Sequence, residues 1–356
     1  MSGVLDLARP DIRALKPYSS ARMEASGGSV LLNANESPWP AVSTSSGELN
    51  RYPDPQPAEL IEGFAALYGV TSAQVLAGRG SDEAIDLLVR AFCRAGHDAV
   101  VICPPTFGMY AVSADIQGAA IVEVPLAEDF SLDADAVIAA AGQNVKIAFL
   151  CSPNNPTGNL IPLATIERVA AALQGRSLVV VDEAYIEFAG APSAATLLDR
   201  YDNLAVLRTL SKAHALAAAR VGALLAHGDV IALLRRILPA YPLPAPCIDA
   251  ARAALTTPAL AATRVRAANL VAAREQLAAT LPRAPEIIAV LPSSANFVVV
   301  RCRDPQGLYS RLLSAGIVVR NVTRYRGLQD CLRISVGSPS DHARLLAALG
   351  LREAAA

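Results

Sequence analysis

Between about residue 70 and residue 240 the chain repeats one pattern: a short, mostly aliphatic run, a polar turn, then a stretch of helical length. The strand-like runs fall at 74–77, 98–103, 120–124, 145–150, 178–181 and 204–207, and helical periods at 59–68, 84–94 and 163–173 stand among them. A strand that is aliphatic on successive residues has no face to offer to water, so it must be covered on both sides. Intervening helices supply that cover and return the chain to start the next strand in the same direction. The pattern predicts an α/β fold with a mainly parallel sheet and helices on both faces.

Past the proline-rich stretch Tyr241-Pro-Leu-Pro-Ala-Pro246 the pattern changes. A long Ala/Arg-rich helix over 250–281 is expected there, then strands at 296–301, 316–319 and 331–336 and helices at 308–315 and 341–349. These read as a smaller C-terminal α/β domain, 241–356, beside a large domain, 41–240. Residues 1–40 read as an N-terminal arm or small-domain segment. Proline restricts itself and the residue before it, so the segments around Lys16-Pro17 and Ser37-Pro38, and 50–56, read as extended. In 331–336 the aliphatics alternate with Arg333 and Ser335, which turns Arg333 away from the buried face, toward a cleft between the domains. With 356 residues, 53% hydrophobic and 18% charged, the chain can bury a large core.

Several function classes are disfavoured. The net charge is -1 and no basic run occurs, so nothing draws the chain to nucleic acid or to an acidic membrane. The six cysteines form no C-x-x-C pair and read as buried thiols of a reducing compartment. The four histidines lack metal spacing. The most apolar region, 215–234, is broken by Arg220, His227 and Asp229. The first residues lack the basic head and apolar core of a signal peptide. A cytoplasmic protein is expected.

The chemistry concentrates at one turn. Of three lysines, only Lys212 is surrounded by anion-binding groups. It follows the run 204–207 in a turn that also carries Arg208, Thr209 and Ser211, with Arg220 beyond. A lysine placed after a buried strand is costly to desolvate, and such an amine commonly forms an imine with a carbonyl cofactor. The hydroxyls and Arg220 suit a phosphate. Asp182 directly follows four aliphatics and calls for a cationic partner. Asn154 and Asn155, between two prolines, fix a turn at a strand's C-terminal end, where open α/β sheets place ligands. The turn 78–83 feeds a helix N-terminus. It reads either as an anion site or as a plain helix cap, with the carboxylates of Asp82 and Glu83 turned away. The dinucleotide fingerprint fails there, because Glu83 stands where its third glycine belongs.

Four features stand in order: Ser-Pro-Asn-Asn155-Pro-Thr-Gly, Val-Asp182-Glu-Ala-Tyr185, Thr209-Leu-Ser211-Lys212, and Arg220. The set resembles the fold-type I pyridoxal-phosphate aminotransferases of the class I and II group. Further segments extend the likeness over nearly the whole chain: Leu-Lys-Pro-Tyr18, Leu-Asn-Ala-Asn-Glu36-Ser-Pro, Asn-Arg-Tyr52-Pro-Asp-Pro-Gln, Gly-Arg-Gly-Ser-Asp-Glu, Cys-Pro-Pro-Thr-Phe-Gly-Met-Tyr110 and Cys-Leu-Arg333-Ile-Ser-Val-Gly. Together these resemble the histidinol-phosphate aminotransferases. The chain departs from them at His214, where an aromatic is usual, at Ala218-Ala219 for Gly-Leu, and at Ser37 for Asn.

The resemblance implies the cofactor pyridoxal 5′-phosphate and a role for each matching residue. Lys212 would bond the cofactor's aldehyde and, once released, move the substrate proton. Asp182 would pair with the pyridine nitrogen. Asn155 and Tyr185 would hydrogen-bond the ring oxygen, and Tyr110 would stack on the ring. Gly80, Ser81, Asp82, Thr209, Ser211 and Arg220 would hold the phosphate. Tyr52 would reach the neighbouring subunit's phosphate, which implies a homodimer. Tyr18 would close the mouth. Arg333 would bind the anion of the substrate; Arg320 and Arg344 either join it or belong to a solvated strand end and helix face. The implied reaction passes an amino group between glutamate and imidazole-acetol phosphate, giving histidinol phosphate in histidine biosynthesis. Aromatic amino-acid aminotransferases and threonine-phosphate decarboxylases share these motifs and stand as alternatives, and a cofactor-binding protein without turnover is a third reading.

Overall fold

Seven strands form the main sheet: β1 (Val75–Gly78), β2 (Ala99–Ile102), β3 (Ala120–Glu123), β4 (Val145–Cys151), β5 (Leu178–Asp182), β6 (Leu204–Thr209) and β7 (Gly222–Ala226). The computed structural model describes residues 3–18, 32–41 and 49–351. Part of the expected arm, 19–31, and the segment 42–48 of the expected large domain lie outside the described residues. The strand order is β1-β7-β6-β5-β4-β2-β3. Strands β3, β2, β4, β5 and β6 run parallel, and β7 is antiparallel to both of its neighbours.

Aliphatics on both sides of these strands make two cores, one per face. Val179, Val181, Leu204 and Val206 face one way, against α2 (Ala58–Tyr68) and α6 (Leu163–Ala172). Leu178, Val180, Ala205 and Leu207 face the other, against α3 (Ser81–Phe92), α4 (Met109–Gln117) and α7 (Gly228–Leu234). Every residue of β5 is buried, Asp182 included. Two short helices complete this part, α1 (Pro10–Ala14) and α5 (Ala134–Ala140). Val4 and Leu7, just before α1, are buried in the second core, so this start of the chain packs on the large sheet.

A second sheet of four strands has the order β10-β11-β9-β8 and is antiparallel throughout. Its strands are β8 (Ile287–Leu291), β9 (Phe297–Cys302), β10 (Arg320–Asn321) and β11 (Cys331–Ser335). One face packs on α10 (Pro305–Ser314) and α11 (Pro339–Ala348) through Val298, Val300, Leu332 and Ile334. The opposite face brings Phe297 and Val299 against Tyr185 and Phe188 of the large sheet's loops. Arg333 lies on this second face, between Leu332 and Ile334, as the alternation predicts.

The structure differs from expectation in four respects. The helix expected over 250–281 is two, α8 (Ala245–Ala254) and α9 (Thr257–Thr280), because the backbone turns extended at Thr256 and a proline in the next first turn starts the helix afresh. The apolar run 316–319 is not a strand: Ile317 and Val319 pack against the core beneath α10 and α11, and strand pairing begins only at Arg320. Strands β7 and β8 and helices α4, α5 and α7 were not expected at all. Helix α1 stands in a segment read as an extended arm; Pro10 occupies its first position, where the missing N–H costs nothing.

Candidate active site

The ends of β4, β5 and β6 and the turn after β1 meet at the C-terminal edge of the parallel strands, beneath β10 and β11. They enclose a cavity of about 560 Å³ that holds Asp182, Lys212, Asn155, Tyr185, Arg220 and Arg333 on its walls. Residues far apart in sequence converge there because parallel strands deliver all their outgoing loops to one edge.

Asp182 closes the floor, 3% exposed. The Tyr110 hydroxyl donates to its Oδ2 at 2.8 Å and the Ala184 N–H to its Oδ1 at 3.1 Å. Burial pushes its carboxyl up to about 6, against the pull of these two bonds. Neither bond brings a positive charge, so the carboxylate is a buried anion that a cation arriving from the cavity would stabilise. Its neighbour Glu183 points to the other side of the strand and is satisfied by protein: Ala194 N donates at 2.6 Å, Ser193 Oγ at 2.5 Å and Arg208 Nη1 at 3.3 Å. Arg208 also donates to Glu187 at 2.7 Å and lies over the Tyr68 ring at 4.3 Å.

Lys212 stands in the turn after β6, open to the cavity, with Nζ 5.6 Å from the centre of the Tyr185 ring. Partial desolvation by the cavity walls, then the positive charges of Arg333 and Arg220, push its ammonium below the usual lysine range. A neutral amine is the form that attacks a carbonyl. Burial raises the Tyr185 phenol, which leaves it a hydroxyl donor; the ring packs edge-on against Phe297 at 5.4 Å.

A cradle for an anion lies at one end. Arg220 adopts a left-handed backbone (φ 54°) that carries its guanidinium back over the turn, to Ser211 Oγ at 3.3 Å and Asp82 Oδ2 at 3.3 Å. Thr209 Oγ1 and Ser211 Oγ bond each other at 3.0 Å. Gly80 (φ 82°) opens α3, and a Cβ there would fall 3.1 Å from Arg220 Nη2. A Cβ on Gly222 would sit 2.9 Å from Gly80 Cα, so the two glycines let β7 and the cradle touch backbone to backbone. Glu83 turns away, as expected, to accept from Arg79 N at 2.7 Å. Asp82 does not: it pairs with Arg220.

The two asparagines divide their work. Asn154 is buried and accepts from Thr106 at 2.9 Å while donating to Pro105 O at 2.8 Å, which pins the turn. Asn155 lines the cavity, and its Oδ1 accepts from Arg333 Nη1.

The expected stacking role of Tyr110 does not match its place. It is fully buried, parallel to Phe149 at 4.7 Å, and only its hydroxyl serves the site. The aromatic on the cavity wall is Phe107, three residues earlier. Arg320 and Arg333 line the cavity, whereas Arg344 does not; it is exposed on α11, near Gly316. Tyr18 is 72% exposed and Tyr52 49%, and neither is on the wall; Tyr52 stacks on Tyr241 at 4.2 Å. Arg324 and Tyr325 line the cavity and were not anticipated.

The residues fit pyridoxal phosphate. A buried carboxylate without a cation matches a protonated pyridine nitrogen, a lysine open to the cavity and flanked by two arginines matches an aldehyde, and the cradle of hydroxyls, N–H groups and one arginine matches a phosphate.

The sequence pattern of the family "Aminotransferase class I and II" matches residues 29–349. A histidinol-phosphate aminotransferase of Stenotrophomonas maltophilia is 55% identical over 99% of this chain and 98% of its own length. One from Xanthomonas axonopodis pv. citri is 52% identical over 100% and 99%. The crystal structure of the Sinorhizobium meliloti histidinol-phosphate aminotransferase in complex with pyridoxal 5′-phosphate superposes with a TM-score of 0.77 at 28% identity, covering 85% of this chain and 83% of that one. The chain belongs to the class I and II aminotransferases.

Proposed function

We propose that this enzyme transfers an amino group between glutamate/2-oxoglutarate and histidinol phosphate/imidazole-acetol phosphate, as a step of histidine biosynthesis. One observation carries the reading: a single cavity holds Lys212 and Asp182, the anion cradle at Arg220, and further arginines on the facing sheet. A cofactor phosphate and a separate substrate anion therefore each have cationic partners. The near full-length identity to histidinol-phosphate aminotransferases supports the substrate.

When bound, pyridoxal phosphate supplies an electron-accepting ring that carries the amino group between the two substrates. The protein's part is positioning and proton movement. Lys212 Nζ holds the cofactor and then takes and returns the proton at the substrate's amino-bearing carbon. The Asp182 carboxylate keeps the ring nitrogen protonated, and Tyr110 orients Asp182. Asn155 and the Tyr185 hydroxyl would serve the ring oxygen, and Phe107, on the cavity wall, would pack against the ring. The phosphate falls to the first-turn N–H groups of Ser81 and Asp82 behind Gly80, with Thr209, Ser211 and Arg220. Arg333 and Arg320 take the substrate anion.

We read 41–240 and 241–356 as the two domains, with Tyr18 closing the mouth between them. Tyr52 acts on the partner's site in a homodimer; its exposure and its place off the cavity wall support that. Six free cysteines agree with a reducing cytoplasm.

The test is direct. Purified enzyme given histidinol phosphate and 2-oxoglutarate should form glutamate. Faster turnover of phenylalanine, or carbon dioxide released from threonine phosphate, would replace this reading with one of its relatives.

A further inference from the structure

The facing sheet carries more positive charge than one carboxylate needs. Arg320 and Arg333 are cross-strand partners on β10 and β11, and Arg324 joins them on the cavity wall. Among the described residues none of the three is paired with a carboxylate: Arg333 donates to Asn155, and Arg324 to the Tyr325 hydroxyl. Such charges raise one another's electrostatic cost, and an incoming anion relieves it.

The local chain presents Arg324 deliberately. Asn321 Oδ1 accepts from Thr323 N at 2.9 Å and from Thr323 Oγ1 at 2.7 Å, which ties off the strand. Tyr325 N then donates to Val322 O at 3.0 Å and completes the turn. Tyr325 is flanked by the Arg324 guanidinium, 5.0 Å from its ring centre, and its hydroxyl accepts from Arg324 Nη2 at 3.0 Å. A flexible, exposed arginine is thereby held against the cavity.

Resting on the function proposed for this site, we infer that Arg324 is a specificity-determining residue that favours the phosphate-bearing substrate over glutamate. Glutamate spreads its negative charge over two separate carboxylates, each with one charge and two oxygens, which one arginine satisfies in a forked pair. A phosphate monoester brings up to two charges and three terminal oxygens, and can engage further guanidinium groups. Arg333, anchored on β11 and bonded to Asn155, serves both substrates; Arg324 adds its donors for the dianion only.

The test uses the holoenzyme and follows the two half-reactions separately by the absorbance of the bound cofactor. Arg324→Gln should raise the half-saturating concentration of histidinol phosphate roughly tenfold to a hundredfold, with a much smaller change for glutamate. Arg324→Lys should recover part of the loss. Tyr325→Phe, which keeps the ring and removes the hydroxyl, should lie between wild type and Arg324→Gln. Equal losses in both half-reactions, a loss confined to glutamate, or no change in either would overturn the inference. Wild-type enzyme that reacts with glutamate but ignores histidinol phosphate would instead overturn the underlying function, and the inference with it.

Discussion

Tyr110 is packed flat against Phe149 and reaches the cavity floor with a single atom, the hydroxyl that donates to Asp182 at 2.8 Å. The ring packs in the core and only the oxygen meets Asp182, so the two contacts can be separated. Tyr110→Phe preserves the stack and removes one of the two hydrogen bonds holding the carboxylate. A bond to a charged group contributes roughly 1.5–3 kcal/mol, so turnover should fall by about ten- to a hundredfold while the fold is retained. Steady-state rates with unchanged thermal stability would confirm this; a wild-type rate would remove Tyr110 from the site.

Lys212→Ala should abolish amino transfer, with a loss of at least about a thousandfold, because no other lysine lines the cavity. The cradle around Arg220 is untouched, so pyridoxal phosphate should remain bound through its phosphate. Equilibrium dialysis for the cofactor beside an activity assay separates the two effects. Near-normal turnover in this variant would contradict the assignment.

Asp182 makes the stability of the cofactor-free protein depend on pH. Its carboxyl is raised from 3.8 to about 6 by burial, so the folded form holds its proton more tightly than the unfolded chain does. The corresponding stabilisation is complete below the unfolded value and is lost as pH rises through about 6. Asp182→Asn has no proton to lose. Urea unfolding of both proteins at about pH 4 and about pH 7 should show wild type losing up to roughly 3 kcal/mol relative to the variant. Parallel pH profiles would mean the carboxyl titrates normally.

Arg208 joins Glu183 and Glu187 in a buried cluster directly behind Asp182, and the cluster never enters the cavity. Arg208→Met should leave two acids without their counter-charge and destabilise the fold by roughly 3–5 kcal/mol. Denaturant melts should show this loss even with cofactor present. A melt that matches wild type would mean the cluster is dispensable.

The strands most fully buried were the easiest to read. Residues 178–181 and 204–207 are aliphatic because no face of them meets water, and burial on both sides leaves that mark in sequence. Strand β7 left no such mark, since 222–226 lies inside the longer apolar region 215–234, and the breaks at Arg220, His227 and Asp229 do not tell a strand from a helix there. Helix α4 hid behind Pro104-Pro105 and Gly108, residues that signal a turn but carry no trace of the helix beyond it. The same uncertainty hid which aromatic stands at the cavity wall. Where α4 begins decides which ring is tucked beneath it, and the helix start at Met109 takes Tyr110 inward and leaves Phe107 at the wall. Residues that motif order singled out, Lys212, Asp182, Asn155, Tyr185 and Arg220, line one cavity, because each closes or succeeds a strand of the same parallel set. Arg344 was left between two readings, and the structure places it on the solvated helix face, because helical spacing does not say which side of a helix meets a distant cavity. Arg324 was missed because a turn outside any periodic element gives a charge no readable direction.

The contact between Arg333 and Asn155 joins the two sheets through a single side-chain pair. Both side chains line the cavity, Arg333 from the smaller sheet and Asn155 from the turn after β4. An anion that drew the guanidinium toward itself would loosen its hold on Asn155 at the same moment. A charge met on one sheet would in that way be felt at the other, over the length of two side chains.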